Sequence, residues 1–220
     1  MGTGTFRGVT SPERTPTSDG GKARLEAFSD GVFAIAITLL VLDLAVGHAG
    51  SALERVFNGW PFYLGYVVSF ATIGAAWLAH TGITDRLVRA DSVLLRINLT
   101  LLLVVVFLPF PTRLVAEALD NVRDERVYVT MYGLTLLAMR VLLYAVDAYA
   151  RREQLYSRDE AVDEELEEER EKLLPVLIGY VVAIGIGLGL PRLAVVLYFA
   201  IAVYLVVPFR EVGRLLFKRS

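Results

Sequence analysis

The sequence predicts an all-α membrane protein with six transmembrane helices. Of its 220 residues, 55% are hydrophobic, and the mean hydropathy of +0.53 is higher than that of most soluble domains. The apolar residues also fall into long runs that short polar stretches separate. A helix crosses a hydrocarbon core of about 30 Å with roughly 20 mostly apolar residues, and runs of about this length recur along the chain.

Six such runs are predicted to cross the membrane. Their bounds are Phe28–Val46, Phe62–His80, Val93–Phe110, Val127–Ala148, Leu173–Leu190 and Leu193–Val207. The last two are short, and Pro191 with Arg192 between them indicates a tight helical hairpin.

Two segments outside these runs have a different composition. Residues 1–23 are rich in Gly, Thr, Ser and Pro and contain no apolar run, so they are predicted to form a disordered tail and not a signal peptide. The membrane domain is then expected to cover residues 24–220 as a single six-helix repeat. Within it, residues 150–172 are rich in Glu and Arg, which predicts a charged, solvated helical linker.

The distribution of basic residues predicts the topology. With six spans both termini lie on one side, and that side carries fifteen Lys and Arg residues against five on the other. Because basic residues concentrate on the cytoplasmic side, both termini and the 150–172 linker are expected to be cytoplasmic. The protein is therefore predicted to be a multi-pass protein of the plasma membrane.

Several classes of function are excluded or disfavoured by composition. There is no cysteine, which excludes disulfides, thiolate metal sites and cysteine nucleophiles. Only His48 and His80 could supply imidazole ligands, so no metal site and no cofactor are expected. The net charge of −2 gives no basic footprint for nucleic acid. The sequence does not predict an enzyme.

The first span combines an apolar stripe with polar residues at its base. On a helix with 100° per residue, one face carries a stripe about 100° wide, and its members are Phe28, Gly31, Ile35, Thr38, Leu39 and Leu42. Asp43 lies at the outer end of this stripe. Asp30 falls on the opposite face, which is expected to turn toward the rest of the bundle.

An ionisable group at membrane depth is costly and is normally paired inside the protein. The side chains available to Asp30 at similar depth are Arg24, Trp77, His80, Arg96 and Asn98. Simpler explanations stay open. Ser29 or Asp30 could cap a helix N-terminus, the stripe could face lipid or core, and Thr38 could bond only to the carbonyl one turn earlier.

Three motifs give the chain a resemblance to a known family. The first span begins with R-x-x-x-F-S-D (Arg24, Phe28, Ser29, Asp30) and continues GVFAIAITLLVLDL; the second contains WLAH, ending at His80; and the third contains RINL, starting at Arg96, and FLPFPT. This pattern resembles the prokaryotic relatives of the lysosomal potassium channel, a transmembrane family with an FSD motif on its first helix. The resemblance covers roughly Arg24 to the C-terminus.

The resemblance implies a potassium-selective, leak-type channel in which the first helices of four subunits line the pore. One FSD motif is present, which implies a homotetramer of single-repeat subunits, and no TVGYG-like carbonyl filter occurs in the sequence. It implies a pore constriction of bulky aliphatic side chains. Carried onto this chain, that constriction is Ile35, with Leu39 and Leu42 as further rings and Thr38 as a possible hydroxyl ring. Potassium is the permeant ion.

Other residues are predicted to have supporting roles in such a channel. Asp43 is expected to attract cations at the outer mouth of the pore. A structural network is expected to hold the first helix in register, and its predicted members are Arg24, Phe28, Ser29, Asp30, Trp77, His80 and Asn98.

Two rival functions remain at this point. An ion-coupled secondary transporter would need buried charge near the membrane midplane, where Arg140 is the main ionisable group. An intramembrane enzyme would need a nucleophile with a base, for which His80 and Asp30 form the sole candidate pair. Passive, unsaturated flux would distinguish a channel from a transporter.

Overall fold

The computed structural model describes residues 19–45, 57, 59–120, 124–157 and 160–206. Within these ranges the chain is helical apart from its connections. The helices are α1 (Asp19–Leu39), continued by a 3₁₀ segment (Leu40–Ala45), α2 (Trp60–Asp85), α3 (Ser92–Phe107), α4 (Pro109–Asp120), α5 (Glu125–Arg152), α6 (Glu160–Gly187) and α7 (Pro191–Val206).

Four helical stretches among the described residues are long and apolar enough to cross a membrane. They are Gly20–Leu42, Trp60–Asp85, Ser92–Ala118 and Glu125–Arg152. These correspond to the first four predicted spans. The regions of the last two predicted spans form the shorter apolar helices Leu174–Gly187 and Pro191–Val206. Gly189 N–H and Leu190 N–H both donate to the Ile186 carbonyl (3.0 and 2.7 Å), and they close the predicted turn before Pro191.

Helix α1 begins earlier than the predicted domain boundary. Residues 19–23, which composition assigned to the tail, form its first turns. Lys22 holds them in place, since its Nζ donates to the Asp85 carbonyl (3.0 Å) and lies 3.5 Å from Glu26 Oε1. Composition alone cannot predict a contact between residues so far apart in the sequence. Residues 1–18 lie outside the described part of the chain.

The third span continues through its prolines. Helix α3 ends at Phe107 and α4 starts at Pro109, but Thr112 N–H still donates to the Leu108 carbonyl (3.1 Å) across the junction. Proline lacks a backbone N–H. The N–H groups in the first turn of a helix have no carbonyl partner within that helix, so proline removes no hydrogen bond at this position. The apolar stretch therefore runs on to Ala118, beyond the predicted end at Phe110.

Helix α5 is the centre of the bundle. It packs against α3, α4 and α6. Helix α7 packs against both α6 and α2, and α1 packs against α2 and α3. Gly133 on α5 lets α7 approach closely. A Cβ at this position would overlap the Tyr198 hydroxyl and lie 2.7 Å from Ile184 Cγ1. Small residues at helix contacts are a common way to bring membrane helices together.

The loop between α2 and α3 is tied to the segment that follows α5. Val88 N–H donates to the Leu155 carbonyl (2.8 Å), and Ser157 N–H donates to the Arg86 carbonyl (3.0 Å). The part of the predicted 150–172 linker around Glu153–Ser157 is therefore not helical, and α6 starts only at Glu160.

Asp91 closes the other end of this loop. Its carboxylate accepts from Val93 N–H (3.0 Å) and Leu94 N–H (2.8 Å) as the N-cap of α3, and from Tyr149 Oη (2.9 Å). Burial raises the pKa of Asp91, but the hydrogen bonds from Leu94, Tyr149 and Val93 together with the charge of Arg89 outweigh it, so the pKa lies below its ordinary value.

Candidate functional site

Helix α1 has two faces of opposite character. One face is buried against α2 and α3, and its members are Leu25, Ser29, Phe33, Ala36 and Leu40. The other is exposed although it is apolar: Ile35 is 57% exposed and Leu42 65% exposed, with Phe28, Thr38 and Leu39 also on this side. The predicted stripe therefore faces away from the core of its own subunit.

Thr38 makes one local hydrogen bond. Its Oγ1 donates to the Ile35 carbonyl (2.8 Å), as in many membrane helices. Because the hydroxyl proton is used inside the helix, the oxygen is left as an acceptor on the exposed face. A cation can be bound by such an oxygen, whereas Ile35 and Leu39 offer no ligand atom.

The outer end of α1 changes its helical period. From Leu40 to Ala45 the chain is a 3₁₀ helix, which advances about 120° per residue in place of 100°. The α-helical wheel therefore does not hold beyond Leu39, although Leu42 remains on the exposed side. The side chain of Asp43 lies outside the described part of the structure.

A buried chain of hydrogen bonds joins three helices at the base of α1. Asn98 Nδ2 on α3 donates to Ser29 Oγ on α1 (2.9 Å), and His80 Nε2 on α2 lies 2.8 Å from Asn98 Oδ1. All three residues are at most 3% exposed. Since the Asn98 nitrogen is the donor to Ser29, its oxygen accepts, and His80 carries its proton on Nε2.

This chain fixes the register of α1. A buried hydrogen bond contributes about 0.5–1.5 kcal/mol, but removing one partner costs about 1–3 kcal/mol for each polar group left unsatisfied. The His80 ring also packs on Phe33, with ring centroids 5.4 Å apart. Ser29 lies ten residues after the start of α1 at Asp19, so the alternative that it caps the helix is wrong.

Asp30 does not turn into the bundle, contrary to the helical-wheel prediction. It lies on the exposed flank of α1, where its Oδ1 accepts from Trp77 Nε1 (2.9 Å). The pairing with Trp77 was expected, but its location at the surface was not. Because His80 binds Asn98 and Asp30 binds Trp77, the two residues proposed as an enzymatic dyad each have a different partner.

The seven residues predicted to form one network therefore fall into three groups. Ser29, His80 and Asn98 form the buried chain, and Asp30 with Trp77 forms a surface pair. Arg24 and Phe28 belong to neither of these. Arg24 Nε donates to the Gly20 carbonyl one turn earlier (3.0 Å), and Phe28 is 58% exposed beside the stripe.

A second polar cluster lies inside the bundle and escaped the sequence analysis. Ser69 Oγ on α2 lies 2.7 Å from Thr112 Oγ1 on α4 and 3.0 Å from Tyr132 Oη on α5. The three hydroxyls come from three helices, and no spacing on any one helix reveals them. Asp147 on α5 accepts from Arg151 Nε (3.0 Å) and Tyr156 Oη (2.7 Å).

Comparison with known proteins identifies relatives of this arrangement. Residues 24–109 match the family model described as the endosomal/lysosomal potassium channel TMEM175. The chain is 43% identical over 126 residues to a potassium channel of Streptomyces collinus, which covers 56% of this chain and 61% of the relative. It is 39% identical over 139 residues to a potassium channel of Chamaesiphon minutus. This second alignment covers 61% of the present chain and 66% of the relative. These alignments span less than two thirds of each relative.

A solved structure is similar over most of the chain. It is the crystal structure of a lysosomal potassium-selective channel TMEM175 homologue from Chamaesiphon minutus. The TM-score is 0.71 at 33% sequence identity, and the match covers 84% of this chain and 96% of that one. The similarity therefore extends well beyond α1–α3.

Proposed function

Since this chain belongs to the family of the endosomal/lysosomal potassium channel TMEM175, we propose that it is a potassium-selective, leak-type channel that conducts K⁺ passively across a membrane. The observation that carries this proposal is the exposed apolar stripe of α1. The stripe lies opposite the buried chain of hydrogen bonds that holds the helix in place.

In the proposed channel, four copies surround a central axis and each contributes the stripe of α1. Ile35 forms the narrowest ring, and Leu39 and Leu42 form further rings toward the outside. All three side chains are exposed in the single subunit, as a surface that faces a pore must be. The buried residues of the same helix attach it to α2 and α3, so the rings are held at fixed heights.

The proposed selectivity follows from dehydration. An aliphatic ring offers no ligands, so an ion passes only after it has lost part of its water shell. K⁺ holds its water less tightly than Na⁺, so a constriction that demands dehydration favours K⁺. The same ring can close by dewetting when the helix rotates slightly. Thr38 supplies an acceptor oxygen beside the constriction that replaces a lost water.

The remaining features complete the proposed channel. The two shorter apolar helices Leu174–Gly187 and Pro191–Val206 serve as the fifth and sixth spans. The excess of basic residues on one side supports cytoplasmic termini, and we propose the plasma membrane as the location. Asp43 attracts cations at the outer mouth. The channel domain covers residues 24–220, and conduction requires no cofactor or resident metal.

A reversal potential tests this function. Purified protein in planar bilayers, under opposed K⁺ and Na⁺ gradients, should give a current that reverses near the K⁺ equilibrium potential. Ile35→Asn should abolish this preference. Val181→Asn is a matched control, because Val181 on α6 is also 57% exposed and lies outside the proposed pore. Flux that saturates and depends on a coupled ion would contradict the proposal and favour a secondary transporter.

A further inference from the structure

Helix α2 carries a second exposed stripe beside α1. Its members follow one another at alternating intervals of three and four residues, the spacing of a helix-packing seam. They are Trp60, Tyr63, Val67, Phe70, Gly74 and Trp77, of which Gly74 is half-buried and the other five are exposed. Around Gly74 there is open space, since a Cβ there would meet no atom within 4 Å. We call this surface the α2 stripe.

Helix α3 and the first turn of α4 carry a similar stripe. Its intervals alternate between four and three residues, and its members are Ser92, Arg96, Leu99, Leu103, Val106 and Phe110. All six side chains are exposed, with Leu103 70% exposed. We call this surface the α3 stripe. Arg96 is its one charged member.

The hydrogen bonds at the base of α1 set the relative heights of the two stripes. Asn98, two residues after Arg96, binds Ser29, and the neighbouring Asp30 binds Trp77. His80 on α2 binds Asn98 on α3, so these two residues lie at the same height, with Arg96 about 3 Å nearer the loop between α2 and α3 and Trp77 about 4.5 Å further from it. Since α2 and α3 run in opposite directions from this level, Phe70 lies ten residues further out than His80 and Val106 eight residues further out than Asn98, about 15 and 12 Å at 1.5 Å per residue. The two stripes match along their length.

The charges of the two stripes are complementary. Arg96 is exposed, and no side chain among the described residues forms an ion pair with it. The carboxylate of Asp30, which binds the Trp77 indole, is exposed about three residues (about 4.5 Å) further from the loop than Arg96, within reach of a long arginine side chain. An arginine facing hydrocarbon is costly, whereas a carboxylate beside an aromatic ring offers an ion pair and a cation–π contact together.

We propose that the α2 stripe of one copy packs antiparallel on the α3 stripe of the next copy, with Arg96 of one copy against Asp30 and Trp77 of the other. The two surfaces are different, so the contact is head-to-tail, and repetition closes a ring. Helix α1 contacts both α2 and α3, which leaves its exposed stripe directed at the axis of that ring. This inference rests on the proposed homotetrameric channel and specifies how its subunits join.

Disulfide trapping tests the contact, because the chain contains no cysteine of its own. Phe70→Cys and Val106→Cys are combined in one chain, reconstituted in liposomes and treated with an oxidant. The interface predicts a ladder of covalent dimers, trimers and tetramers on non-reducing gels. Each single variant should give no trimer or tetramer. The matched control combines Phe70→Cys with Val181→Cys, an exposed position on α6, and should remain monomeric.

A second variant tests the charged contact. Arg96→Gln should lower the concentration of detergent at which the oligomer dissociates and raise the dissociation constant about tenfold. Arg89→Gln, which changes an exposed arginine in the loop before α3, should leave both unchanged.

The outcomes separate this inference from the channel function. A wild-type protein that conducts K⁺ as a tetramer, yet gives no ladder with the Phe70/Val106 pair and no response to Arg96→Gln, would overturn the interface alone. Modification of both cysteines by a lipid-soluble maleimide in every copy would show that the stripes face lipid and would also overturn it. A wild-type protein that is monomeric and passes no current would overturn the proposed function as well.

Discussion

The two faces of α1 differ in which side chains they carry and in what those side chains contact. On the buried face, Asn98 pairs with both Ser29 and His80 at 2.8–2.9 Å, so these polar side chains are joined within one subunit. On the exposed face, Ile35, Leu39 and Leu42 contact little of their own subunit. The contacts of the buried face fix the position of the helix, and the exposed face indicates its function.

The contrast separates residues that position the helix from those proposed to meet the ion. A change on the buried face should alter folding first and permeation only as a consequence. A change on the exposed face should alter permeation while stability is retained. The four predictions that follow are ordered by the size of the expected effect on stability.

Asn98→Leu should produce the largest loss. It removes the central member of the buried chain and leaves both Ser29 and His80 without their partner, at a cost of roughly 3 kcal/mol. Thermal unfolding of the detergent-solubilised protein, followed by tryptophan fluorescence, measures this loss. Thr100→Leu is the control, since Thr100 is exposed on the same helix and bonds only to the Arg96 carbonyl. Equal melting temperatures for the two variants would contradict the role of the buried chain.

Gly133→Ala should destabilise the bundle by about 2 kcal/mol, because the new methyl group overlaps the Tyr198 hydroxyl and Ile184. Gly185→Ala on α6 should be neutral or slightly stabilising, since nothing lies within 4 Å of its Cβ position. The same unfolding assay compares the two. A neutral Gly133→Ala would mean that α7 does not pack against α5 as closely as described.

Asp30→Ala should cost about 1.5 kcal/mol, since it removes the charged acceptor of the Trp77 indole at the surface of the subunit. We expect smaller currents from fewer assembled channels, with an unchanged reversal potential, because Asp30 is not on the stripe. Bilayer recordings with size-exclusion chromatography measure both quantities. Normal assembly with unchanged currents would show that the surface pair has no role, and a shifted reversal potential would place Asp30 in the pore.

Asp91→Ala should cost about 1 kcal/mol near neutral pH, because the N-cap of α3 is lost. The folded state lowers the pKa of Asp91, so its contribution is present above the ordinary value of 3.8 and is lost as the pH falls through the lower folded value. The difference in melting temperature between wild type and Asp91→Ala should therefore shrink between pH 7 and pH 3. A difference that stays constant over this range would exclude a role for the ionised carboxylate.

Local periodicity was sufficient to find the exposed face of α1. The spacing of Phe28, Ile35, Leu39 and Leu42 fixes them on one side of a helix, and the structure confirms that they share the exposed side. The apolar runs likewise predicted the four long spans. The hydropathy of some 20 consecutive residues identifies a span without any information about the helices that pack against it.

Properties that depend on other helices could not be obtained in this way. A wheel gives the angle of Asp30 but not the position of α2, so the residue was assigned to the interior although it meets Trp77 at the surface. The early start of α1 depends on the Lys22–Asp85 contact, and the Ser69–Thr112–Tyr132 cluster depends on three helices at once. The change to a 3₁₀ helix after Leu39 also has no signature in hydropathy.

The most direct test of the central claim compares the two faces within one turn. Leu39→Cys, Leu42→Cys and Leu40→Cys are made in the cysteine-free chain and exposed to a small, charged thiol reagent during K⁺ recording. Leu39 and Leu42 lie on the exposed stripe, whereas Leu40 is 1% exposed on the buried face. If α1 lines the pore, the reagent should block the current through the first two variants and leave the third unchanged. Block through Leu40→Cys alone, or through none of them, would contradict the claim.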